Sequence, residues 1–245
     1  MEHKYLTEFK KLEAKLKKIA KLKDTSKFND LLDRAATLHP FINEDKYLIQ
    51  DLYGLRNVFA HSDRNKYIAE VNDLAFTSLA RIMELLENPP KAINFTKNIL
   101  KQKKVYWVQN NAELNEVINE MSEKVYTHIP VYDDDLCVGV FTETSLLLWL
   151  KDNVDSDGIA HFKKRFMSKV DLSYIDPDTP INRSIFAKSD SSIFDVWQKF
   201  NLAIKKGDRL GAIILTKDGK RTSEPEGIIT SWDLPRIQEL TKFDD

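Results

Sequence analysis

The chain is short of the residues that most plainly announce a chemistry. A single cysteine, Cys137, in 245 residues excludes an intrachain disulfide framework and a cysteine-rich zinc module. His3, His39, His128 and His161 show no metal-ligand spacing with acidic neighbours, so no metal site is expected. No GxxxxGK(S/T) occurs, which excludes a P-loop NTPase. There is no excess of charge of one sign: Lys plus Arg is 37 and Asp plus Glu is 38, a net charge of −1. That rules out a globally basic nucleic-acid coat and a polyacidic tail, though not local patches. Apolar runs such as 146–150 fall far short of the ~20 residues that span a bilayer. The Lys-rich start has no apolar core followed by a small-residue cleavage site, so no signal peptide is expected. A soluble, cytoplasmic chain without membrane contact is the expectation. What is present is 42% apolar and 31% charged residues, enough for a buried core and of a length for one large or two modest domains.

The first ninety residues have the helical period. Leu6, Phe9, Leu12, Leu16 and Ile19 recur at steps of three and four, on a segment whose other faces carry lysine. Residues 1–23 hold eight Lys and three Glu, a face read as solvated, with RNA phosphate as the alternative partner. Asp24-Thr25-Ser26 offers turn and N-cap chemistry. Phe28, Leu31, Leu32, Ala35 and Leu38 form a second stripe, stopped by His39-Pro40. Leu48, Leu52, Leu55 and Phe59 form a third; Ile68, Val71, Ala75, Leu79, Ile82 and Leu86 form a fourth, ended by Asn88-Pro89-Pro90. Four helices with short connections predict an antiparallel bundle.

After Pro90 the pattern changes. Residues 91–104 read as a linker with a short helix. Strands are predicted at 105–108, 129–132 and 138–141, the last two across the turn Asp133-Asp134-Asp135, with helices at 114–121 and 145–150. The order returns with strands at 184–187, 212–215 and 227–230, the last two across Lys217-Asp218-Gly219, and helices at 193–200 and 234–240. Leu114 and Val117 match Ile193 and Val196 at an offset of 79; Gly139 and Thr142 match Gly227 and Thr230 at 88. The extra residues are assigned to loops. Trp149 and Trp232, near the closing helices, are read as packing residues. The fold class is two-domain: an all-α N-terminal bundle (1–90), a linker (91–104), and an α/β C-terminal region (105–240) of tandem βαββα repeats at 105–150 and 184–240.

Thr127-His128-Ile129-Pro130-Val131-Tyr132 with Val138-Gly139-Val140-Phe141-Thr142, and Glu226-Gly227-Ile228-Ile229-Thr230-Ser231-Trp232-Asp233-Leu234, resemble the two halves of a CBS pair. The resemblance implies one module with two clefts between the repeats, binding adenosine-containing ligands such as AMP, ATP or S-adenosylmethionine to regulate an attached domain. It implies that a cleft takes a ribose-binding Asp from one repeat and base contacts from the strand start of the other. Carried over, it points to Tyr126, Thr127, His128, Ile129 and Pro130 with Thr230 and Asp233. A carboxylate accepts both hydrogen bonds of a ribose diol, and a hydroxyl beside a helix start suits phosphate. Asp233 is replaced by Ser145 in the first repeat, and the second repeat has Gly211-Ala212-Ile213-Ile214 where the first has His128-Ile129-Pro130-Val131. One competent cleft and one degenerate cleft follow. The alternative for Asp233 is a helix cap alone.

Leu55-Arg56-Asn57-Val58-Phe59-Ala60-His61, near the end of the third helix, resembles the HEPN motif. That resemblance implies a dimeric, metal-independent ribonuclease with two motifs facing across the interface. Arg56 would stabilise the phosphorane, His61 would transfer protons and Asn57 would position the phosphate or His61. Two readings stay open: an endoribonuclease acting on RNA and regulated by an adenine nucleotide, with no other cofactor required, or a non-catalytic nucleotide-sensing regulatory and dimerisation protein. Both imply a homodimer.

Overall fold

The computed structural model describes residues 2–21, 27–60, 71–102, 104–160, 167–180 and 183–240. It divides into two compact units, Met1–Pro90 with Ile237–Asp245, and Lys91–Arg236.

In the first unit, α1 (Glu2–Ala20) buries Tyr5, Phe9, Leu12, Leu16 and Ala20. This stripe is rotated from the expected one: Leu6 and Ile19 are only half-buried. Tyr5 decides the rotation. Its ring packs edge-on against Phe59 and Phe76, and its hydroxyl donates to the Leu52 carbonyl at 2.8 Å. A hydropathy pattern undervalues such a residue, because a tyrosine is buried whole only when its hydroxyl finds an acceptor. Burial pushes the Tyr5 hydroxyl pKa up to about 12. α2 (Phe28–Leu38) ends at an extended His39, as Pro40 requires. Pro40 then serves as the first residue of an unanticipated short helix, α3 (Pro40–Glu44), where its missing N–H costs nothing. α4 (Lys46–Ala60) and α5 (Asp73–Glu87) follow, so the described residues hold five helices here rather than four. α5 starts after Asn72, whose side chain accepts from the Ala75 N–H, and Val71 lies before the helix; Ile68 and the Asp24-Thr25-Ser26 turn lie outside the described residues. α1 packs on α2, α4 and α5, with Phe28 and Tyr53 stacked at 4.0 Å in the seam.

The second unit begins in the segment read as a linker. Part of that segment is packed structure: α6 (Ala92–Asn94) runs into a π-helical turn, Phe95–Ile99, with Phe95 and Thr96 buried. Two sheets of the same topology follow. β1 (Val108–Gln109) pairs parallel with β2 (His128–Asp133), which pairs antiparallel with β3 (Leu136–Thr142). α7 (Leu114–Lys124) and α8 (Glu143–Asn153) complete this repeat. After the connection, which holds a 3-10 turn, Met167–Lys169, and α9 (Leu172–Ile175), β4 (Ser184–Lys188) pairs parallel with β5 (Ala212–Thr216), itself antiparallel to β6 (Pro225–Thr230). α10 (Ile193–Lys205), a 3-10 turn, Ser231–Asp233, and α11 (Leu234–Glu239) close the second repeat. β1 is shorter and later than expected, because Val105 is buried without joining the ladder.

Both repeats carry a register shift at the same place, Val131/Tyr132 and Leu215/Thr216. The pairing fixes the alignment. His128 faces Thr142 and Ala212 faces Thr230, so Ala212, not Gly211, is the counterpart of His128. The sequence comparison was one residue out, a slip that in a strand moves every side chain to the opposite face.

The long connection is not free loop. Met167, Val170 and Ile175 belong to the core of the first repeat beside Ile129, Val131, Phe141 and Trp149. Ile175 sits where a Cβ on Gly139 would be, with its Cγ1 2.5 Å and its Cβ 2.7 Å from that position. Gly227, the equivalent in the second repeat, faces Thr96, whose Oγ1 lies 3.0 Å from the corresponding position. Each sheet therefore accepts, against a glycine of its third strand, a helical turn from outside its own βαββα unit. Gly139→Ala is expected to destabilise the protein by about 1–3 kcal/mol through overpacking. In denaturant unfolding, combining it with Ile175→Ala should cost less than the sum of the two single changes; additive losses would contradict the contact.

Candidate functional site

A cleft of about 530 Å³ opens within the second unit. Three pieces of chain form it. One wall is the end of α7 and the start of β2: Val125, Tyr126, Thr127 and His128. The opposite wall is the end of β6 and the turn after it: Ile228, Thr230, Trp232 and Asp233. The third is the strap before β1: Gln102, Lys104, Val105 and Tyr106, with Glu143 from the start of α8 beside them. The residues expected from both repeats thus meet in one place, with two exceptions. Ile129 and Pro130 are buried in β2 and do not line the cleft. Alternation turns Ile129 away from the face of His128, and Pro130, on that face, is covered within the fold.

Each wall is fixed locally. Gln102 imitates a strand residue: its Nε2 donates to the Ile228 carbonyl at 2.7 Å, and its Oε1 accepts from the Ile228 N–H at 3.3 Å. Tyr106 and Tyr126 stack with centroids 5.5 Å apart and planes 14° from parallel, joining the strap to the β2 wall. Val125 closes α7 in the left-handed region, at φ 57°, while 80% exposed. A β-branched residue there is strained by about 1–3 kcal/mol. This strain lies at the cleft's edge.

His128 is held between its neighbours. Nδ1 lies 2.9 Å from Thr127 Oγ1, and Nε2 lies 2.5 Å from where a Cβ on Gly211 would stand. Gly211 is therefore needed as glycine to admit the ring, a role that its place in a strand comparison could not show. Burial lowers the His128 pKa to about 4, so the imidazole is neutral near pH 7.

Asp233 does what both readings allow. Its Oδ2 accepts from the Thr230 N–H at 2.8 Å and from Thr230 Oγ1 at 2.9 Å, closing a capping box. The carboxylate is half-exposed and lines the cleft, and Oδ1 is not part of the cap. In the first repeat Thr142 and Ser145 make the same box, so the correspondence of Ser145 with Asp233 is geometric. Ser145, however, is fully buried and donates to the Tyr174 carbonyl at 2.7 Å. The segment before β4 and the loop before β5 line a pocket of about 200 Å³ at Asp178, Pro180, Arg183, Gly207, Asp208 and Arg209, with no residue from the Thr142–Ser145 wall. There the counterpart of Lys104, Arg183, is bound to Asp208 at 2.6 Å.

The family comparison falls on this unit. Residues 97–152 match the family model described as the CBS domain. This segment holds the strap, β1 to β3 and most of α8, and the sheet β4–β5–β6 reproduces its strand order and pairing. Solved structures with a likeness to the chain include the CBS domain pair of protein MJ0100 in complex with 5-methylthioadenosine and S-adenosyl-L-methionine, at 17% identity over 63% of this chain and 99% of that one, TM-score 0.42. Another is the CBS domain of a CBS domain containing membrane protein from Sphaerobacter thermophilus, at 19% identity over 67% and 97%, TM-score 0.44. A third is the CBS domain of a bacterial CNNM/CorC family Mg2+ transporter with the inhibitor IGN95a, at 16% identity over 79% and 99%, TM-score 0.41. No curated protein matches the chain. No helix among the described residues is long and apolar enough to cross a membrane.

Several cleft residues escaped sequence reasoning. Gln102, Lys104 and Tyr106 were hidden because 91–104 read as a linker and Tyr106 as ordinary strand. Trp232 was assigned to packing, as was Trp149. Trp149 is 2% exposed, but Trp232 is 77% exposed and stands on the cleft. Its adjacency to Asp233 was the available signal. In the helical unit, Arg56 Nη1 donates to Asn57 Oδ1 at 3.0 Å, and the Arg56 guanidinium lies 6.0 Å from the Tyr53 ring centroid. His61, the third member of that expected constellation, lies outside the described residues.

The depressed His128 pKa gives a pH signature. Its unfolded value is about 6.5, so the unfolded chain binds the extra proton first, and stability falls as pH drops from about 6.5 to about 4. Asp45 in the helical unit acts oppositely. Burial raises its carboxyl to about 6, and its contribution improves over the same descent. The His128 effect is therefore isolated as a difference: His128→Asn should remove a pH-dependent loss on the order of 3 kcal/mol between these limits. Identical pH profiles for both proteins would refute the buried neutral imidazole.

Proposed function

We infer that the C-terminal unit is a ligand-sensing regulatory module that binds one adenosine-containing molecule per chain. The observation that carries this is the convergence of Asp233 and Thr230 from one repeat, and Tyr126, Thr127 and His128 from the other, on one cleft of about 530 Å³. That volume is in the range of small-ligand sites. Asp233 supplies a ribose acceptor, and the aromatic and apolar side chains supply surface for a base. The CBS family match on 97–152 supports the reading. The capped, buried Ser145 and the small ion-paired pocket support a single competent site.

Regulation follows from chain connectivity. Gln102 and Lys104 belong to the stretch that leaves Pro90, where the helical unit ends, and the helical unit resumes at Ile237, just beyond Asp233. Both connections to the helical unit therefore run from walls of the cleft. A ligand that prefers one arrangement of those walls would bias what the helical unit does, by no more than its differential affinity. A homodimer through one or both units belongs to this proposal. The ribonuclease reading is the weaker one, since it rests on Arg56, Asn57 and His61 alone, and RNA as substrate goes with it.

The test is thermal unfolding with and without 5′-methylthioadenosine or AMP. A ligand at a hundredfold its Kd should stabilise the native protein by about 2.7 kcal/mol. Asp233→Asn, which retains a cap acceptor, should weaken binding by about 1–3 kcal/mol while leaving the unliganded melting temperature nearly unchanged. Equal binding by the variant would remove Asp233 from the site. No shift with any adenosine compound would overturn the function.

A further inference from the structure

The charges around the cleft point beyond an adenosine ligand to the kind of group it carries. Among the described lining residues, the acidic side chains are Glu143 and Asp233, and the amine is Lys104. Two are acids and one is a base. The base is the exposed end of a strap residue, while Asp233 is half-buried. His128 adds no positive charge, since its ring is neutral near pH 7.

Acids stand on two of the pieces of chain that form the cleft. Glu143, the first residue of α8, lines it beside the strap. The turn after β6 has its Thr230 N–H engaged by the Asp233 carboxylate. A polyphosphate brought here would meet two carboxylates and a single ammonium among the described lining residues, and like charges repel most where solvent is partly excluded. A cation meets the reverse. Trp232, 77% exposed on the cleft, offers an aromatic face of the type that attracts sulfonium and ammonium groups.

We propose that the cleft selects adenosine compounds whose 5′ substituent is uncharged or cationic over those bearing a polyphosphate, with Glu143 as the specificity-determining residue and Trp232 as the aromatic contact. This deepens the adenosine-sensing reading and rests on it. Glu143 matters because it is the acid that the cap does not require: the capping box of α8 is made by Thr142 and Ser145.

The experiment is calorimetry on the full chain with three probes that share the adenosine part: 5′-methylthioadenosine, S-adenosylmethionine and ATP. In the wild-type protein both sulfur compounds should bind at least about tenfold more tightly than ATP, a preference of the size one or two local charges produce. Glu143→Lys leaves one acid against two bases among the described lining residues and should move the ratio of ATP to S-adenosylmethionine affinity by about tenfold or more toward ATP. Glu143→Gln should move it the same way by less. Trp232→Leu should weaken S-adenosylmethionine more than 5′-methylthioadenosine. ATP as the tightest wild-type ligand, or a ratio indifferent to Glu143→Lys, overturns the proposal while leaving the adenosine reading intact. Binding of none of the three overturns both.

Discussion

The second unit depends on a shortage of cover. A three-stranded sheet with two helices of its own cannot bury both faces, and β5, with all five residues buried, shows how completely the faces are covered here. The cover is borrowed. Ile175 fills the space that a side chain on Gly139 would occupy, and Thr96 stands against Gly227. Both covering turns come from segments outside the repeat they protect. The chain must then cross from the second repeat, where Gln102 is clamped to Ile228, to β1 of the first, and that crossing is the strap that walls the cleft. The site is a consequence of how two incomplete repeats complete one another.

The same symmetry shows where the two repeats part. Thr142 with Ser145 and Thr230 with Asp233 form equivalent capping boxes, so the fold needs only a hydrogen-bonding residue at the third position. A serine satisfies the cap and is short enough to be buried against the Tyr174 carbonyl. An aspartate satisfies it with one oxygen and leaves carboxylate at the cleft. The hairpin at 217–224 ties the repeats further, with the Arg221 carbonyl accepting from the Cys137 N–H and the Ser223 carbonyl from the Tyr132 hydroxyl.

Much of this was legible in the sequence because it lies in periodicity and in paired positions. The offsets of 79 and 88 marked two repeats, and the Ser145–Asp233 correspondence marked the equivalent capping positions. What was not legible depended on packing. Tyr5 outranked Leu6 in α1 because Leu52 offered its hydroxyl an acceptor. The 91–104 segment has the charge of a linker, yet Phe95 and Thr96 bury themselves. The one-residue error at His128 arose because the extra residues could be divided between two loops in more than one way, and only strand pairing decides the division. Gly211 as room for His128, and Trp232 as an exposed ring, become visible only when the two repeats face each other.

The claim at the centre of this account is that the two-repeat unit has one working cleft and one that the chain has filled. The stoichiometry of adenosine-ligand binding per chain measures it directly, by equilibrium dialysis or by calorimetry at protein concentrations well above Kd. One molecule per chain, lost in a variant whose Gly211→Leu change drives the His128 ring from its place in the cleft wall, is the result predicted. Two equivalent molecules per chain, or one molecule whose binding is indifferent to that change, would contradict it.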